Sequence, residues 1–289
     1  DRGPAPMNSF SARMPPPTVL SFAASDPSGG AGLQADLMTV SALGCHALSV
    51  TTALTVQDSL GVAGILAIDA DWVEDQARTL LQDMPVAAFK IGLLGSADNI
   101  LIIADILADY PLLPVVLDPV LASGRGDELA DDEMIAALRE LLLPLTTILT
   151  PNTLEARRLA DPAQAAHGDQ AVDVDVCAQR LLSLGCEYLL LTGTHDNTPR
   201  VVNRLYGRDA GLLRSDSWDR LPGSYHGSGC TLASAIAAHL ARGLPVSEAA
   251  QAAQDYTWQA LAAGFRVGMG QYLPDRFFRL RAGGGDPLA

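Results

Sequence analysis

The chain has 289 residues, 48% hydrophobic and 18% charged, which suits a globular protein with a substantial core in one domain or two. Its formal net charge is −14 and Lys90 is its only lysine, so the clustered positive charge of a nucleic-acid or anionic-membrane surface is largely missing and those partners are disfavoured. Cys45, Cys177, Cys186 and Cys230 form no C-x-x-C pair and no apolar run approaches the roughly 18 residues of a membrane span, which points to reduced thiols in a cytoplasmic protein.

Residues 1–17, rich in proline and small side chains and without an apolar h-region, read as a disordered leader rather than a secretory signal. From Thr18 onward, short apolar runs alternate with longer amphipathic ones. Strand Val19–Ala24 precedes helix Leu33–Leu43, strand Ala47–Ala53 precedes helix Trp72–Asp83, and strand Ala87–Ile91 precedes helix Asn99–Tyr110. Strands Val115–Leu117, Thr147–Leu149 and Tyr188–Leu191 are followed in turn by helices Asp132–Leu142, Thr153–Ala160 and, before the last strand, Asp175–Leu184. This rhythm predicts an α/β fold with a mainly parallel sheet and helices on both faces. Beyond Leu191 the pattern changes to a hairpin, Val201–Tyr206 and Leu212–Ser217 across Gly207–Gly211, and two alanine-rich helices, Thr231–Ala241 and Ser247–Ala263. No repeat or linker interrupts the run. A single domain over residues 18–281 is expected, with a flexible tail at 282–289.

Two glycine-rich turns carry the candidate chemistry. In the first, Gly30-Ala31-Gly32-Leu33-Gln34-Ala35 matches the dinucleotide pattern G-x-G-x-x-A. The spacing argues against that reading. Five residues separate the strand from the first glycine of the match, and Val50–Leu54, where an acidic residue should hold the ribose, has none. The second turn, His226-Gly227-Ser228-Gly229-Cys230, opens a helix. Glycines there let backbone N–H groups converge where the helix dipole favours negative charge, which makes an anion hole. In the first helical turn the Cys230 thiolate is expected to be stabilised and its pKa lowered. The alternative is that Gly227 and Gly229 only permit a tight turn and Cys230 is packed. A P-loop is excluded, because the one lysine stands in Phe89-Lys90-Ile91-Gly92 and not after a glycine-rich loop.

Six stretches together resemble the hydroxymethylpyrimidine and phosphomethylpyrimidine kinases, a branch of the ribokinase-like superfamily. They are Ser25–Leu37, Thr51–Gln57, Lys90–Gly95, Leu117–Val120 with Gly126-Asp127, Thr150–Ala156 and His226–Thr231, in family order. The resemblance implies a ribokinase-like three-layer sandwich, ATP and Mg2+ as cofactors, a homodimer and cytoplasmic localisation. It implies phosphorylation of the hydroxymethyl group of hydroxymethylpyrimidine, and of its monophosphate, in thiamine biosynthesis. A pyridoxal or pyridoxine kinase of the same superfamily is the nearest alternative.

The resemblance also assigns roles. Gly227, Ser228, Gly229 and Cys230 form the anion hole, with Cys230 facing the substrate hydroxyl as base or positioning group. Gln57 pairs with the aminopyrimidine, since a carboxamide carries both donor and acceptor. Asp36 lies nearby, and Ala31, Gly32, Leu93 and Val120 form apolar walls. Asp118, Asn152, Thr192 and Gly193 attend the nucleotide, and Glu155 with Asp118 attends the metal. Asn152 and Glu155 equally suit a helix N-cap and its capping box. The chain departs from its relatives at Thr192 and Gly124, where they carry lysines, and Arg125 follows one place later. Those losses motivate a third reading, a non-catalytic pyrimidine-binding protein.

Overall fold

The structure, a computed structural model, describes residues 14–123, 126–162, 172–194, 196 and 198–283. Most of the expected leader and tail, and Gly124 and Arg125, lie outside the described residues. Nine strands form one sheet: β1 (Thr18–Ser25), β2 (His46–Gln57), β3 (Val62–Ala67), β4 (Ala88–Ile91), β5 (Val115–Leu117), β6 (Ile148–Leu149), β7 (Tyr188–Leu191), β8 (Arg200–Gly207) and β9 (Gly211–Asp219). Their order is β3-β2-β1-β4-β5-β6-β7-β8-β9, parallel from β2 through β7 and antiparallel at both edges.

The helices are α1 (Gly32–Ala42), α2 (Ala70–Asp83), α3 (Ala97–Ala108), α4 (Asp132–Ala137), α5 (Thr153–Ala160), α6 (Val174–Ser183), α7 (Ser228–Ala241), α8 (Val246–Ala262) and α9 (Phe278–Gly283). The central strands read as near-continuous apolar runs because both faces are covered. On one face Leu20, Phe22, Phe89, Ile91 and Leu117 pack against α2, α3, α5 and α6. On the other, Val19, Ala88, Val116 and Leu190 pack against α1, α7 and α8. The alternation of neighbours such as Leu20 and Val19 between two cores is the two-residue period of a strand. The expected three layers are therefore present.

Apart from shifts of a few residues at element ends, the largest being the extension of β2 to Gln57, the expected elements differ from the observed ones in three places. Strand β3 was not anticipated: it is an edge strand with Gly64 at its middle and Ile65 and Leu66 exposed, so it shows no inward-outward alternation. The helix expected at Asp132–Leu142 is regular only to Ala137, and Leu138–Leu142 is π-helical. Pro144 follows two residues later, and its ring would clash with the carbonyl four residues back in a regular helix. Helix α9 extends through Gly283 into the expected tail.

Asn99, fully buried in α3, ties the fold together near the site. Its Nδ2 donates to the carbonyls of Thr52 (3.1 Å), Ile68 (3.1 Å) and Leu94 (2.8 Å), joining β2, the end of β3 and the loop after β4. Its two hydrogens are shared among the three, so leucine withdraws both donors at once, and of the three carbonyls Thr52 keeps the Ile68 N–H. Asn99→Leu is expected to lower stability by about 2–3 kcal/mol, read as a lower urea midpoint with an unchanged slope.

Candidate active site

Strand order reverses at β1, with β2 on one side and β4 on the other. Ligands of open α/β sheets bind beyond the carboxyl ends of the strands at such a point. A cavity of about 690 Å³ lies there, lined by residues at or just after the ends of β1, β4, β5, β6 and β7. That volume falls in the usual range for small-molecule sites.

Both glycine-rich turns meet in this cavity. In the first, the Asp26 carboxylate accepts the N–H groups of Ser28 (2.8 Å) and Ala31 (2.8 Å), folding the loop back upon itself. In the second, Gly227 is the N-cap of α7 with φ +81°, a conformation that favours glycine. A Cβ there would lie 1.8 Å from the Gly30 carbonyl oxygen. Arg276, almost wholly buried, donates to that same carbonyl and to Thr231 Oγ1, stitching the first turn to α7.

At the floor, Lys90 Nζ stands 2.9 Å from both oxygens of Asp36, with both side chains wholly buried from solvent. Ser234 of α7 donates to Asp36 at 2.7 Å. Burial alone would discharge the lysine, but the charge of Asp36 and its hydrogen bond hold it protonated above the usual lysine range. Asp118, at the end of β5, is pushed up to about 6 by burial and by Asp36, against the pull of Lys90 and a hydrogen bond with the Cys230 thiol. Glu155 is pushed up to about 8 by burial and by Asp118, against backbone N–H groups of Asn152 and Leu121.

Two expectations are corrected here. Cys230 is not a stabilised thiolate: burial pushes its thiol up to about 12, and Asp118 and Asp36 add to the rise against Lys90. The helix terminus does not outweigh desolvation beside two carboxylates. Asp36 does not reach the cavity wall; it holds Lys90 from behind.

The remaining candidates divide between two ends of the cavity. Gln57, Ala31, Gly32, Leu93 and Val120 all line it, as do Gly227, Ser228, Gly229 and Cys230. Asn152, Glu155 and Thr192 line the other end. Asn152 and Glu155 form the reciprocal capping box of α5, with Asn152 Oδ1 accepting from the Glu155 N–H and Glu155 Oε2 accepting from the Asn152 N–H. Gly193 is away from the wall, its N–H given to Asn203. Thr192 is buried and contributes no charge. Arg220 lines this end, but its guanidinium donates to the carbonyls of Gly193, Thr194, Asp196 and Thr198.

Lys90, Asp26, His226 and Arg276 had no role assigned from sequence. A single lysine in an otherwise apolar strand was the available signal for the first. His226 and Asp26 stood inside the glycine motifs, but their meeting across 200 residues is visible only in the fold.

The phosphomethylpyrimidine kinase family matches residues 26–275, the span from the first turn to the close of the α7–α8 layer. The chain belongs to this family. A Streptomyces coelicolor hydroxymethylpyrimidine/phosphomethylpyrimidine kinase is 39% identical over 255 residues, covering 88% of this chain and 92% of that protein. The crystal structure of the phosphomethylpyrimidine kinase from Clostridium difficile 630 superposes with a TM-score of 0.71 at 33% identity, covering 85% of this chain and 99% of that one. The pyridoxal kinase from Staphylococcus aureus in complex with AMP-PCP and pyridoxal superposes with a TM-score of 0.79 at 27% identity, covering 92% and 95%. The fold is thus the ribokinase-like one.

The raised carboxyl groups give the ligand-free protein of this family a defined pH response. Asp118 and Glu155 keep their protons to higher pH folded than unfolded, so between about pH 4 and pH 8 the folded state binds more protons and stability falls as pH rises. The urea midpoint of the parent is expected to fall more steeply from pH 5 to pH 8 than that of Glu155→Gln. Parallel profiles would remove Glu155 as a source of the dependence.

Proposed function

We propose that this chain transfers the terminal phosphoryl group of ATP to the hydroxymethyl group of hydroxymethylpyrimidine, and to the resulting monophosphate, in the cytoplasmic synthesis of thiamine. The observation that carries this reading is the convergence, in one cavity of a phosphomethylpyrimidine kinase family member, of a carboxamide, a glycine-rich helix start and two carboxyl groups. Gln57 offers donor and acceptor to the aminopyrimidine, and Ala31, Gly32, Leu93 and Val120 enclose its ring. The N–H groups at the start of α7 face the phosphoryl group in flight and stabilise charge that develops there.

The substrate alcohol sits against Cys230, and its proton passes to the Cys230–Asp118 pair, which is hydrogen-bonded and whose carboxyl group has a raised affinity for it. Little base strength is required, because the transition state of phosphoryl transfer is loose and positioning dominates. Glu155, with Asp118 beside it, would hold magnesium directly or through water. Two neighbouring carboxyl groups that repel each other when ionised suit such a cation, which would supply charge neutralisation on the phosphates when bound.

A homodimer accompanies this reading. Leu54, Val56 and Leu66 leave an exposed apolar face on β2 and β3, whereas α7 is buried on nearly every side and supplies none. No helix among the described residues is long and apolar enough to cross a membrane. The likeness to the S. aureus pyridoxal kinase supports a second reading, in which pyridoxal is the acceptor.

Magnesium-dependent ADP release separates the readings when run with hydroxymethylpyrimidine, its monophosphate, pyridoxal and no acceptor. Release with the two pyrimidines is expected. Release with pyridoxal alone transfers the chain to the second reading, and none with any acceptor leaves a binding role. Cys230→Ala is expected to lower turnover by about 100-fold or more while nucleotide affinity changes little; full activity in that variant would remove Cys230 from the mechanism.

A further inference from the structure

The carboxamide of Gln57 lies between two neighbours. Its Oε1 position is 3.0 Å from Thr55 Oγ1, and its Nε2 position is 3.1 Å from His226 Nε2. That same ring nitrogen is 2.7 Å from Asp26 Oδ2. Against the upward push of burial, hydrogen bonds from His226, Ser28 and Ala31 hold the Asp26 carboxyl below its usual value, so it is an anion and only accepts. His226 Nε2 therefore carries a proton and donates it to Asp26. A nitrogen so committed has no lone pair for an NH2 group.

Oxygen and nitrogen of a carboxamide are told apart by their hydrogens, and the network decides which faces which. Here it turns the oxygen of Gln57 towards the Nε2–H of His226, which Asp26 chiefly takes, and the NH2 towards Thr55 Oγ1. The Thr55 hydroxyl is free to accept, because its own proton can go to the Ser25 carbonyl at 2.9 Å. The His226 imidazole is fixed as well: a Cβ on Gly30 would lie 2.1 Å from its Cδ2, so the ring rests against that glycine.

We infer that Asp26 and His226 are positioning residues that set the direction of the Gln57 carboxamide, and thereby the order of donor and acceptor that a substrate ring must present. The inference rests on the pyrimidine reading given above. One N–H and one oxygen lone pair of Gln57 remain for the ligand. They match a ring nitrogen that accepts beside an amine that donates. An oxo analogue, with a carbonyl in place of the amine and a hydrogen on the ring nitrogen, presents the reverse order and sets N–H against N–H. Were the carboxamide free to turn, both rings would pair equally well.

The test is the ratio of kcat/KM for hydroxymethylpyrimidine to that for its oxo analogue, measured with ATP in the parent protein, His226→Ala and Thr55→Val. Each ratio is taken within one sample, so loss of folded protein cancels. The ratio is expected to fall by about tenfold or more in His226→Ala, mainly through the two KM values, since one mispaired polar contact is worth about that much. Thr55→Val, nearly isosteric, removes the opposite anchor and lowers the ratio in the same direction. His226→Gln, whose amide N–H can still donate towards Asp26, restores part of it. Equal losses with both substrates and an unchanged ratio in His226→Ala and Thr55→Val would overturn the inference and leave His226 a structural or chemical role. Absence of turnover in the parent would instead overturn the functional reading, and this one with it.

Discussion

Lys90 and Asp36 bury opposite charges where β4, α1 and α7 meet, and neither could occupy that place without the other. An unpaired charge in such surroundings costs several kcal/mol, so the pair is tolerated only while all three elements keep their relative positions. Ser234 joins it from α7. Cys230 lies four residues earlier on that helix and so shares its face with Ser234. The contact that anchors Ser234 therefore also aims Cys230 at the cavity. The charge of Lys90 further acts on Asp118 and Cys230 from below, so one buried cation ties the geometry of the floor to its protonation.

The roof over that floor depends on the absence of side chains. Gly227 and Gly30 approach so closely that a methyl group on the former would overlap the carbonyl of the latter. The approach brings the start of α7 against the turn that opens α1, and Arg276 clamps the two by taking the Gly30 carbonyl. A buried guanidinium is disfavoured by desolvation, and burial does lower the affinity of Arg276 for its proton. Its hydrogen bonds to the Gly29 and Gly30 carbonyls and to Thr231 offset that cost. His226 is drawn to Asp26 by the same closure, so the two glycine motifs, distant in the chain, become one wall of the cavity.

Much of this architecture is legible in the chain because the parallel strands are short apolar runs bounded by turn residues. Strands β5 and β7 and helix α5 coincide with their expected limits. Strand β3 escaped because edge position removes the burial on which a periodic pattern depends, and the π-helical turn escaped because its cause, Pro144, lies outside it. At the site, residue identities were more legible than their states. Cys230 does stand in the first turn of α7, yet its protonation is set by Asp118, Asp36 and Lys90, which arrive from other strands and helices. Asp36 sits in a motif beside glycines that line the cavity, but its helical phase turns it inward to Lys90. Local sequence specifies a helix start; it does not specify the net charge that tertiary contacts assemble around it.

That net charge bears on how a polyphosphate is received. Lys90 is balanced by Asp36, and Arg220 is committed to four carbonyls of the loop after β7. Asp118 and Glu155 add negative potential whenever they ionise. Side chains at the described wall thus offer little free positive charge, and Thr192 offers none. On the proposed reading, attraction for phosphate would come from the N–H groups at the start of α7, from protons held on the raised carboxyl groups, and from a cation that would replace those protons. Proton and cation then compete for the same oxygens. The raised carboxyl pKa values follow from burial and mutual repulsion: Lys90 holds Asp118 the lower of the two, while Glu155 beside it keeps its proton near neutral pH until something positive arrives.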